Sequence, residues 1–176
     1  MMQDFSLTID KKKALKVLGY LLCMTAFYIL STARGILSNI HFATVNVMPF
    51  LVAAIAFYDG PYMGGCMGIY GGMLLSLSSS TVEGAEALVM ACFGILCGTV
   101  GVLFMRRFLL SILACGSLFI TLRGIFSATY YVLFYSIPFR SIFAGYLRIL
   151  AISIVPGAVG YFLIKAIHRR FSEVEY

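Results

Sequence analysis

Between Ala85 and Met105 the chain reads AEALVMACFGILCGTVGVLFM, twenty-one residues that carry one charge, Glu86. About 20 helical residues cross the hydrocarbon core of a bilayer, so this run is long enough to span one. In water such a helix would have no polar face to turn outward. Five further apolar stretches accompany it, at 14–33, 45–58, 62–77, 108 to about 135, and 145–167. The chain as a whole is 61% hydrophobic and 11% charged, where soluble domains run at about 45–50% and 25%. The expectation is an all-α integral membrane protein. It comprises one domain of six transmembrane helices over 14–168, with a tail at 1–13 and a second at 169–176.

Orientation follows from the basic residues. Lys11, Lys12, Lys13 and Lys16 cluster at the start of the first span, Arg106 and Arg107 separate the fourth from the fifth, and Lys165, Arg169 and Arg170 cluster at the end of the sixth. Six crossings put these nine on one side and Arg34 and Arg140 on the other, which places both termini in the cytoplasm. The lysine-rich start, the apolar core and STA at 31–33 have the outline of a signal peptide. The core is long for one, so the first span is read as retained.

The net charge of +6 is therefore a matter of topology, and no nucleic-acid motif accompanies it. The five cysteines all lie in apolar runs, none in a CxxC pair, and both histidines are remote from them. They read as small packing residues, without metal or disulfide. No HExxH, GxSxG or intramembrane aspartate pair is present, and Asp4 and Asp59 stand alone on the cytoplasmic side. The expectation is a non-enzyme without a cofactor.

Spans two and three are short. They meet at YDGPY, 58–62, where Gly60 suits a turn and Pro61 starts a new helix well. Both are barely long enough to cross, so they are covered by neighbours or line a thinned region. Gly60, Gly64, Gly68 and Gly72 are spaced by four and share one helix face. Each glycine in a water-exposed helix costs about 1 kcal/mol relative to alanine. In lipid, a glycine face lets two backbones approach closely. Ala87, Ala91, Gly94, Gly98 and Gly101 form a matching strip on span four. The two strips are expected to face each other, with a partner's helix as the other candidate occupant of the groove. A phosphate cradle would need a Walker or dinucleotide glycine pattern, and neither occurs.

Charges within spans are functional candidates. Arg123 lies about 22 Å along span five, in the outer half. Arg148 is one turn into span six, Glu86 opens span four, and Arg34 ends span one. These four are expected to converge, with Glu83 nearby, either as an Arg123–Glu86 pair that fixes the fold or as a polar pocket or partner contact.

The order of features along residues 20–170 resembles that of the rod-shape-determining MreD family. The features are a lone proline opening span two (VMPFLVAAIAFYDG), a glycine-rich short helix (GGCMGIYGGMLLSL) and EGAEALVMACFGILCGTVG before a basic pair. An arginine-bearing final span with a late proline (YLRILAISIVPGAVGYFLIKAIHRR) completes them. Ser76 stands where the family pattern favours an aspartate. The resemblance implies a non-enzymatic scaffold of the cell membrane. It would pack with the transmembrane helix of the bitopic protein MreC and so organise lateral peptidoglycan synthesis and cell shape. The region FYDGPYMGGCMG is also similar to substrate-binding S components of energy-coupling-factor transporters, which share the six-helix plan. That second resemblance implies a vitamin ligand in the outer half and docking onto a transporter energising module.

Overall fold

The computed structural model describes residues 2–32, 46–77, 85–103, 109–135 and 139–172. Six helices account for nearly all of them: α1 (Met2–Thr32), α2 (Met48–Asp59), α3 (Pro61–Ser76), α4 (Ala85–Leu103), α5 (Leu109–Tyr135) and α6 (Phe139–Ser172). Four stretches are long and apolar enough to cross a membrane, Lys13–Thr32, Ala85–Leu103, Leu109–Tyr130 and Phe143–Arg170. Four such helices in one small chain point to a membrane protein.

α2 and α3 differ from the six-crossing expectation. They hold 12 and 16 residues, about 18 and 24 Å of helix, and neither matches a bilayer alone. Their limits are set locally. Pro49 sits in the first turn of α2, where its missing N–H is harmless. Gly60 ends α2 at φ +89°, a conformation that favours glycine, and its N–H donates to the Ala56 carbonyl at 2.9 Å. Pro61 then opens α3. α1 continues back to Met2, so the expected N-terminal tail is helical where it is described. α5 runs unbroken through Gly124, and α6 continues through Pro156.

α2 is the axis of the bundle. Every residue from Met48 to Phe57 is buried, and α2 packs against each of the other five helices. This explains why it tolerates so uniform an apolar sequence: a helix surrounded on all sides needs no polar face. At its start the Asn46 N–H donates to the hydroxyl of Ser153, a fully buried α6 residue, at 3.0 Å. Its larger side chains enter glycine gaps. The Phe50 ring is held between Gly116 of α5 and Gly157 of α6, and Leu51 lies on Gly160. A methyl on Gly157 would come within 2.8 Å of that ring, so both glycines are needed for the fit.

The outer helices keep apolar side chains outward. Leu15, Leu18, Leu22 and Ile29 of α1 are exposed, whereas Tyr20 and Met24 on its other side are fully buried. Among lipid tails such exposure has no hydrophobic penalty, and cohesion comes from close packing instead.

Candidate functional site

The glycine face of α3 lies on α4. A methyl on Gly64 would sit 2.6 Å from the Gly94 carbonyl oxygen. One on Gly68 would strike the Met90 carbonyl and Ala91, and one on Gly72 would strike Ala87 and lie 2.6 Å from the Glu86 carbonyl. From the other side, Gly98 abuts Pro61, with 2.5 Å between an added methyl and the proline Cα. The groove is thus filled by the chain's own fourth helix, and a partner helix cannot enter it. Gly60 shares the four-residue spacing but not the contact: nothing lies within 4 Å of a methyl built there, and its role is the turn. Gly101 lies outside the α3 contact, against Phe57 of α2.

Of the three intramembrane charges among the described residues, Glu86, Arg123 and Arg148, the structure brings the first two together. Arg123 of α5 donates to the Glu86 carboxylate of α4. Farther along the same seam, the Phe93 and Phe119 rings meet at 4.4 Å between centroids, and beyond them the Cys97 and Cys115 thiols adjoin. α4 and α5 are therefore antiparallel neighbours joined by side chains. Arg148 does not join this cluster. Ser153 marks the inward face of α6, and five residues back is about 140° around the helix. Arg148 is accordingly exposed on the outward side. Arg34 and Glu83 lie outside the described residues.

At the opposite end of the bundle is a polar cluster that the sequence did not reveal. Asp59 is not alone. Its Oδ1 accepts from Lys16 Nζ of α1 at 2.5 Å and lies 3.2 Å from His168 Nδ1 of α6. Tyr20 is packed beside the same carboxylate. The Tyr58 hydroxyl donates to that of Tyr161 at 3.1 Å, and the Tyr58 ring lies 4.8 Å from the His168 ring. The side chains of Lys16, Asp59 and His168 are each less than one-fifth exposed. A charged group this far from water must be paired, and removing one partner leaves the other stranded. The cluster clamps α1, α2 and α6 at the α2–α3 turn.

Two internally paired charge sites, one at each end of a helix-filled interior, are what this arrangement offers chemically. Each can hold helices in register. Among the described residues no group of three or more histidines, cysteines or carboxylates is placed to hold a metal. Cys97 is buried, Cys66 and Cys92 are exposed, and none of the five cysteines is in a disulfide. The chain matches no protein-family model, no curated protein and no solved structure.

Proposed function

We propose that the chain is a non-enzymatic scaffold of the cell-elongation machinery, similar to MreD. It sits in the plasma membrane as a six-helix bundle like that of the S components, with both termini in the cytoplasm, and binds no cofactor. It packs with the transmembrane helix of an MreC-like bitopic protein and so organises lateral wall synthesis. The link to cell shape comes from the order of motifs along residues 20–170.

One observation favours this reading over a vitamin-binding subunit. Arg123, the cation best placed for a ligand, is bonded to Glu86 and joins α4 to α5. A vitamin site in this half would need that charge turned toward a ligand. Because α4 occupies the α3 groove, the partner helix takes another face of the bundle.

The reading is tested by depleting the chain in its own host while following cell width and new wall by microscopy, with co-purification of an MreC-like protein. Rods should round up, and the partner should be recovered. Unchanged shape on depletion overturns the reading, as does purified protein that carries a tightly bound vitamin.

A further inference from the structure

The pairs Glu86–Arg123 and Phe93–Phe119 fix the register of α4 against α5. They set Ala85, the first residue of α4, level with about residue 125 of α5. Gly124 in turn packs on Tyr146 of α6. Residues 126–135 of α5 and 139–145 of α6 therefore extend past α4, by about 15 Å at 1.5 Å per residue. The outward face of α6 over this stretch is unusual for the chain. Arg140, Ala144 and Arg148 follow one another at intervals of four, Gly145 borders the strip about 60° round the helix from Arg148, and all four are exposed. Neither arginine forms an ion pair among the described residues, where Asp59 and Glu86 are bonded elsewhere.

Gly145 separates this face from ordinary lipid-facing surface. Every other described helical glycine has an atom within 4 Å of an added methyl, whereas Gly145 has none. Helical glycine is unfavourable by about 1 kcal/mol relative to alanine, and elsewhere in this bundle close contact offsets that. Acyl chains gain nothing from a bare backbone. The two arginines lie about 12 Å apart along the axis, which is two helical turns and the spacing of residues on a packed neighbouring helix.

We infer that the strip Arg140–Ala144–Gly145–Arg148 is the docking surface for a helix of a different protein. That helix carries carboxylates two turns apart and packs its backbone against Gly145. A second copy of the chain would bring the same cations and be repelled. The inference rests on the scaffold reading for the existence of a partner helix, and adds the face it uses and the charge it carries.

The test places a photo-crosslinking amino acid at Ala144, and at exposed Leu118 of α5 as a control, in living cells. An adduct to another protein is expected at Ala144 and not at Leu118. The crosslinked segment should be helical with Asp or Glu within two turns, and R140Q/R148Q should lower adduct yield at least about tenfold, the effect of 1.4 kcal/mol. Adducts to phospholipid only, a segment lacking acidic residues, or yield unchanged in the double variant overturns the inference. Cell shape is scored in the same strains under depletion. Normal shape with an acidic-helix adduct removes the scaffold reading and keeps the docking surface; rounded cells with lipid adducts do the reverse.

Discussion

Asp59 Oδ1 lies 2.5 Å from Lys16 Nζ, across 43 positions of chain, and joins the first helix to the turn between the second and third. Breaking a pair this buried leaves an uncompensated charge, which costs about 3–5 kcal/mol. Asp59→Ala should therefore lower the thermal midpoint of the purified protein sharply. Lys16→Met with Asp59→Leu should fall less far than Asp59→Ala alone. A double variant as unstable as Asp59→Ala would show that the contact between these two groups is not what holds α1.

The same logic applies to the other end. Glu86→Gln and Arg123→Gln each strand one charge, and the double variant strands neither. Thermal denaturation in detergent should show the double variant to be more stable than the sum of the single losses, by about 1 kcal/mol or more. Strict additivity would mean that Arg123 and Glu86 do not depend on each other.

Gly68 faces backbone atoms of Met90 and Ala91, which cannot swing aside. Gly68→Leu should therefore reduce the yield of folded protein itself, as read by fluorescence-detected size exclusion. Gly145→Leu, on an open face, should leave yield and elution unchanged. Equal yields for the two variants would contradict the α3–α4 contact.

Phe50 fills the space between Gly116 and Gly157, and removing its ring leaves a cavity at the bundle axis. Phe50→Ala should cost about 3–5 kcal/mol, as for other buried aromatic truncations. Adding Gly116→Ala to that variant should recover part of the loss by refilling the gap. In the otherwise unaltered chain Gly116→Ala should be destabilising, because the ring is already there.

Much of this architecture is written in short-range pattern. Asp-Gly-Pro at 59–61 announces the α2–α3 turn because only local backbone chemistry is involved. Spacing by four names the face at Gly64, Gly68 and Gly72, and spacing by four and three names that at Ala87, Ala91 and Gly94, since a helix aligns such residues by geometry alone. What spacing omits is azimuth between distant helices. Arg148 could be given a depth but not a direction, and the inward face of α6 is defined by Ser153 and Gly157, whose contacts with Asn46 and Phe50 lie about a hundred residues away. Asp59 looked solitary for the same reason, its partners being Lys16 and His168 from opposite ends of the chain. The shortness of α2 was visible as a span barely long enough to cross. Its position at the centre was not, because a uniformly apolar run has no face that reveals how many neighbours it has.

That central position bears on how the protein is built. A helix walled in by its five companions never meets lipid, and at twelve residues it is too brief to rest across a bilayer by itself. It can settle only once α5 and α6 arrive with the gaps that admit Phe50 and Leu51. The surroundings of the early hairpin are therefore incomplete until the carboxy-terminal third is in place, and a chain cut short before α6 is left with an unfinished centre.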